Sequence, residues 1–282
     1  MGKVIVSGAA PQMTVPSTFP PIGTALNDMT WEQIRAISDA GKAADYFNLG
    51  DTKTITINGK VGNTTFSNLS VDAFILGFNH NSSREGANRI HFQIGKTGGV
   101  HIAICDRNYG SSGSSASYFQ MNASSTNSGG WNGSSMRKTL LGNSGTPTSP
   151  PSGSLLAALP ADLRAVMKAV TKYSDNTGGG SDTASYVTSA TDYLFLLSEF
   201  EYHGARTYAN SAEKNYQAQY DYYKAGNSKI HYKHNATGTA ALAWCRSVRS
   251  RGSTNFCLVN TDGSAATAGA YYSDGVAPGF CV

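Results

Sequence analysis

Three stretches between Thr54 and Ile104 place apolar residues at every second position, a pattern that commits this part of the chain to β-sheet. Thr54-Ile55-Thr56-Ile57 alternates up to Asn58-Gly59, the dipeptide that best tolerates the positive φ values of a two-residue hairpin turn. A hairpin is therefore predicted at Asn58-Gly59. Residues 73–78 form a short apolar run that suits a buried strand. Ile90, Phe92 and Ile94 alternate with His91 and Gln93, and Val100, Ile102 and Ile104 repeat the pattern after Lys96-Thr97-Gly98-Gly99. The middle of the chain reads as antiparallel sheet.

Helices are signalled around it. Thr30-Trp31-Glu32-Gln33 is a capping-box pattern, Trp31, Ile34 and Ile37 share a face, and Gly41 supplies a stop. A short helix is expected over 134–141. A longer one is expected over 160–172, where Leu163, Val166, Met167 and Val170 are spaced i, i+3, i+4, i+7. Residues 193–200 read as a strand, and 211–225 as a helix with Tyr216, Tyr220 and Tyr223 along one side. Short strands follow over 242–247, 256–260 and 275–282, with a turn at Asn260-Thr261-Asp262-Gly263. The Ser-, Gly- and Asn-rich stretch 110–128, the Pro-containing stretch 142–153 and residues 175–181 read as loops. The expected class is α+β, with residues 29–282 as one domain.

Residues 1–28 differ: Pro11, Pro16, Pro20 and Pro21 exclude helix and favour an extended arm. Such an arm needs something to grip. Its own domain and a neighbouring subunit are both candidates, and the neighbouring subunit is favoured, with Pro11, Val15, Pro16, Phe19 and Pro20 as the anchoring residues. Multiple copies in an assembly, or a homo-oligomer, are expected.

Charged residues make up only 14% of the chain, so hydroxyls and amides carry its solubility, and a net charge of +4 is too small to imply nucleic acid as a partner. No apolar run approaches the ~20 residues that cross a bilayer, and residues 1–6 hold too few apolar residues for a signal-peptide core. Neither a membrane nor a secretory route is expected. Cys105, Cys245, Cys257 and Cys281 read as buried thiols, with a Cys245–Cys257 bridge as the main alternative.

Chemistry is sparsely signalled. His231 and His234 lack further ligands nearby in sequence and read as surface histidines on a turn, so no metal is expected. No Gly-x-Ser-x-Gly motif occurs, and Gly178-Gly179-Gly180 lacks the following Gly-Lys-Ser/Thr of a phosphate loop, so no cofactor is expected. Cys245 or Cys257 with a distant histidine would make a nucleophile pair, but cysteines at strand spacing are usually core residues. Glu199 and Glu201, two apart on a strand, would share a face as the paired carboxylates of a carbohydrate-active enzyme. Their plainer reading is the polar rim of an apolar strand. Arg246, Arg249 and Arg251 form the basic cluster, read as bridging strands and dressing a loop. Tyrosines crowd between Tyr186 and Tyr232 and recur at Tyr271 and Tyr272 among Ser, Gly and Asn. That mixture favours recognition, because a phenol offers a large contact area with few rotors to freeze.

Trp244-Cys245-Arg246-Ser247, Phe256 with Cys257 through Gly263 and Ser264, and Gly275-Val276-Ala277-Pro278-Gly279-Phe280 resemble a domain family common in tailed phages and prophages of Gram-positive gut bacteria. Phe47 through Lys53, residues 74–80, Met136-Arg137 and residues 155–170 are similar to it too. That family is similar to the C-type-lectin and formylglycine-generating-enzyme fold. The resemblance implies a twisted antiparallel sheet with packed helices, in which a closing strand runs beside the Trp-x-Arg-Ser strand and long loops are displayed from the surface. Cys245 replaces the usual leucine and Ala277 the usual arginine. The enzyme's close cysteine pair and the lectins' calcium motifs are missing, so neither activity carries over. What the resemblance implies is a non-enzymatic virion protein, assembled in the bacterial cytoplasm as a head or tail decoration or a receptor-binding adhesin. It would bind other virion subunits through its arm, and host surface glycan or protein through Arg249, Arg251, Asn255, Tyr271 and Tyr272. The alternative is a cell-surface carbohydrate-active enzyme using Glu199 and Glu201.

Overall fold

The computed structural model describes residues 19–113 and 118–282. Helix α1 (Trp31–Asp39) begins as its sequence demands: Thr30 Oγ1 accepts from the Gln33 N–H at 3.1 Å, and Gln33 Oε1 accepts from the Thr30 N–H at 2.8 Å. It ends at Gly41, φ +70°, where the Lys42 N–H reaches back to the Ile37 carbonyl. Trp31, Ile34 and Ile37 face inward, and the Trp31 ring meets Phe92 and Phe280 edge-on at 5.6 and 5.9 Å. One turn, α2 (Ala43–Tyr46), leads into the sheet.

Strands β1 (Thr52–Val61) and β2 (Thr64–Phe78) form a long antiparallel hairpin, but its turn lies at Gly62-Asn63 and not at the expected Asn58-Gly59. There the register shifts between Ile57 and Gly59, so the dipeptide makes a bulge inside the strand. Ile55, Ile57 and Val61 are buried on both sides of it, so core burial carries the strand through. After α3 (Ser82–Glu85), β3 (Ile90–Thr97) and β4 (Val100–Ala103) complete the antiparallel run. His91 and Gln93 are buried as fully as Ile90 and Phe92, because β3 is covered on both faces.

The rest of the chain packs onto this platform. Short helices α4 (Gly130–Gly133), α5 (Leu155–Ala158) and α6 (Ala161–Val166) precede the pair β5 (Val170–Asp175) and β6 (Val187–Asp192). The helix expected over 160–172 thus ends at Val166: the apolar spacing holds for one turn, then β5 pairs along its length with β6, and pairing overrides periodicity. Residues 193–200 are not a strand either. Phe195 makes a single bridge to Gly279, and α7 (Glu199–His203) starts within the stretch. Residues 211–225 break into a 3-10 turn over Ser211–Asn215 and α8 (Asp221–Lys224). Tyr220 and Tyr223 are core, while Tyr216 stacks on Tyr173 at 4.9 Å.

Strands β7 (His231–Lys233) and β8 (Ala236–Ala241) extend the large sheet through a parallel β4–β7 pair. Strands β9 (Ala243–Val248), β10 (Asn255–Val259) and β11 (Ala265–Gly269) form a separate three-stranded antiparallel sheet. The closing strand β12 (Gly279–Cys281) returns to pair with β3. The architecture is α+β, dominated by antiparallel pairs. No helix among the described residues is long and apolar enough to cross a membrane. All four cysteines are free and buried, so the Cys245–Cys257 bridge does not form. His231 is no surface residue: it is buried in β7, edge-on to Tyr202.

Candidate functional site

Two places hold the residues singled out by sequence, one at the surface and one inside. The surface rim is built by the β9–β10 connection and the chain leaving β11. Asn255 pairs with Gly269 across the β10–β11 ladder, and the Ala270 N–H donates to the Thr254 carbonyl, so Arg249, Arg251 and Asn255 come to the same edge as Tyr271 and Tyr272. The two tyrosine rings pack at 4.9 Å, and Tyr272 is 37% exposed. They do not split to opposite sides as neighbours on a regular strand would, because they follow β11 and lean together over Gly269. Arg251 is exposed at φ +60°, and the Arg249 side chain folds over Gly252.

The rim is fixed from below. Asn127 Nδ2 donates to the carbonyls of Gly252 and Asn255 at 2.6 and 2.9 Å, and Asn127 Oδ1 accepts from the Gly179 N–H at 2.9 Å. This works only because Gly178, at φ +66°, lets two backbones touch: a Cβ there would lie 2.0 Å from the Asn127 carbonyl oxygen. The segment before residue 114 joins the rim through the Gly113 N–H to Tyr271 carbonyl bond. Of the arm residues, Pro11, Val15 and Pro16 lie outside the described residues. Phe19 meets the Tyr46 ring at 6.3 Å under the Lys42 ammonium, and Pro20 follows it.

Inside, Glu199 and Glu201 open α7 and neither is a strand rim. Ser198 and Glu201 form a capping box, each side chain accepting the other's N–H at 3.0 Å. The Glu199 carboxylate accepts the N–H groups of Tyr208 and Ala209, the latter at 2.8 Å. Both glutamates are buried. Arg246 is not a surface arginine: it is fully buried and forks onto both oxygens of Glu201, while also donating to Ser174 Oγ and the Leu196 carbonyl. Lys172 completes the cluster, 3.0 Å from Glu201 and 2.5 Å from Glu85. Burial alone would raise the Glu201 pKa; the charges of Arg246 and Lys172 overcome it and hold the carboxyl well below its usual range. Burial wins at Glu85, whose pKa is raised.

His80 borders this cluster, its Nε2 4.0 Å from Glu85 Oε1, and its ring stacks on Tyr220 at 3.8 Å. Burial and the Lys172 charge push His80 down to about 3, so it is neutral. It also lies at the base of a cleft of about 760 Å³ whose mouth carries Arg206, Lys214, Asp221 and Lys224. His80, Glu85 and Glu201 bring donor atoms within 4.8 Å of one another. These are poor ligands for a cation as they stand, because Lys172 already contacts both carboxylates and Arg246 holds one of them.

Sequence reasoning missed His80, Glu85 and Lys172. Lys172 alone left a signal, since strand alternation puts it on the same face as Val170. A family profile described as a domain of unknown function (DUF6273) matches residues 108–282, more than half of the chain. The chain belongs to this family. No curated protein and no solved structure matches it. The DUF6273 region holds the rim, Lys172, Glu199, Glu201 and Arg246, whereas His80 and Glu85 come from the sequence before it.

Proposed function

We propose that the chain is a non-enzymatic recognition domain of a bacteriophage virion, C-type-lectin-like in fold. It attaches to neighbouring virion subunits through its arm and presents the rim of Arg249, Arg251, Asn255, Tyr271 and Tyr272 to a host surface glycan or protein. One observation carries the reading. A paired, partly exposed tyrosine couple stands beside two arginines and an asparagine on a backbone already locked by Asn127. Aromatic area and adaptable polar groups on a rigid support give affinity without a large ordering cost. The lectin-like reading draws on one contact, in which Gly275 bridges Ala243 and its carbonyl accepts from the Trp244 N–H, whereas the closing strand β12 pairs with β3 and not, as the resemblance implied, with the Trp-x-Arg-Ser strand. The enzyme alternative draws no support from Glu199 and Glu201, which face inward and are held by backbone and arginine.

Mass spectrometry of purified particles should find the protein as a multi-copy component. Particles carrying Tyr271→Ala with Arg249→Ala should assemble normally and adsorb to host cells more weakly. Particles free of the protein, or unchanged adsorption by the double variant, would refute the corresponding half of the proposal.

A further inference from the structure

Lys172 is an unusual cation. Its side chain has no exposure, and its ammonium lies 4.2 Å from the centre of the Phe195 ring and 5.1 Å from that of Tyr220. It faces two carboxylates at once, Glu85 Oε2 at 2.5 Å and Glu201 Oε1 at 3.0 Å, with the Tyr220 hydroxyl at 2.8 Å. A nitrogen this close to a carboxyl oxygen is also within near-attack range of the carboxyl carbon. Intramolecular pairs that reach aligned near-attack geometry react as if at effective concentrations of about 10⁵–10⁸ M. Burying an ion pair costs free energy, and a condensation that removes both charges relieves that cost.

We propose that Lys172 and Glu85 condense to an intramolecular isopeptide bond, with Glu201 as the proton carrier. The Lys172 ammonium passes one proton to Glu85 Oε2, leaving a neutral amine beside a neutral acid. The amine lone pair attacks Glu85 Cδ and forms the C–N bond. Negative charge gathers on Oε1, toward which the Asn81 side-chain amide points at 3.4 Å. Glu201 removes a proton from the nitrogen and returns it to the departing Oε2 hydroxyl. The C–O bond breaks, the carbonyl re-forms and one water leaves. Atoms and charge balance without oxidant or cofactor, Glu201 ends as the carboxylate it began as, and its remaining partner Arg246 matches its charge. Burial raises the Glu85 pKa, which favours the neutral acid that the attack requires.

The bond would join α3, which precedes the DUF6273 region, to β5 within it. In a chain whose four cysteines are all free, this supplies a covalent tie of the kind that disulfides give other proteins.

The test is the intact mass of the full chain, folded, then denatured and reduced. The expected mass is that of the sequence, corrected for any loss of the first methionine, less one water. Protease digestion should yield one branched peptide joining Glu85 to Lys172. Lys172→Arg and Glu85→Ala should each show the full sequence mass. Glu201→Gln, which keeps the shape of the site, should lose the water slowly or incompletely. A folded wild-type chain at full sequence mass overturns the proposal, as does a water lost at any other pair of residues. Complete condensation in Glu201→Gln overturns the role given to Glu201.

Discussion

Arg246→Met removes the cation that forks onto Glu201 and leaves most of the side-chain volume in place. The structure sets the size of the effect. Arg246 donates twice to Glu201, once to Ser174 Oγ at 2.9 Å and once to the Leu196 carbonyl at 2.9 Å, all out of contact with solvent. Breaking a buried ion pair by deleting one partner costs about 3–5 kcal/mol, because the surviving charge stays buried. The bared Leu196 carbonyl adds about 1 kcal/mol. At roughly 2–4 °C per kcal/mol for a chain of this size, Tm should fall by roughly 8–24 °C. Urea unfolding followed by tryptophan fluorescence should show the midpoint falling at an unchanged slope. Adding Glu201→Leu removes the stranded carboxylate, so the double variant should be less destabilised than the sum of the two single ones. The pH dependence has a definite sign. The Glu201 pKa is depressed in the folded state, so its contribution is present above the unfolded carboxyl pKa and is lost as pH falls through the folded value. The wild type should therefore lose stability on acidification below about pH 4, and Arg246→Met should lose less. A single-variant cost under about 1 kcal/mol, or strict additivity in the pair, would refute the reasoning.

Asp274 is buried and its Oδ2 has no hydrogen-bond partner among the described residues, and burial raises its pKa to about 7. A carboxyl with a raised folded pKa weakens the fold as pH climbs from the unfolded value to the folded one, so Asp274→Asn should stabilise the protein by about 1 kcal/mol or more at pH 8. The gain should vanish near pH 4 in the same unfolding assay. Gly178→Ala forces a Cβ to 2.0 Å from the Asn127 carbonyl oxygen at a φ of +66°. It should cost more than about 1 kcal/mol and speed amide exchange at Gly179. Burial pushes the thiols of Cys105 and Cys281 up to about 12, and all four cysteines are enclosed. A thiol reagent should therefore find none of them in the native protein at pH 8 and four after denaturation.

The parts legible in sequence were those fixed by near neighbours. The Thr30 capping box, the apolar run in β2, the alternation that leads into β3 and β4, the Asn260–Gly263 turn and the buried cysteines all follow from short-range chemistry, and each is where the pattern puts it. The errors came where a distant partner decides. Asn58-Gly59 is an intrinsic turn former, yet the burial of Ile57 and Val61 draws the strand past it. Val170 fits a helix face equally well, yet its partner Asp192 in β6 makes it strand. Glu199 and Glu201 stand two apart, the spacing of one strand face, whereas Ser198 caps them into a helix and both are buried.

The same distinction separates the two candidate sites. Arg249, Asn255, Tyr271 and Tyr272 could be named from sequence because their composition marks them, and the ladder between Asn255 and Gly269 then brings them together. Glu85, Lys172 and Glu201 carry no local mark, being 87 and 29 residues apart along the chain at the two contacts that join them. Only a fold that seats α3 against β5 and α7 makes them neighbours. In a chain with few charges, placing two acids and two bases within one solvent-free cluster demands mutual pairing before anything else. That cluster therefore ties the α3 segment to the DUF6273 region through Lys172, and Lys172→Met should loosen that junction while leaving the Tyr271–Tyr272 rim folded. Hydrogen exchange can read this directly: protection should fall at residues 82–91 and persist at 255–259. Equal loss at both would mean that rim and cluster fold as one unit.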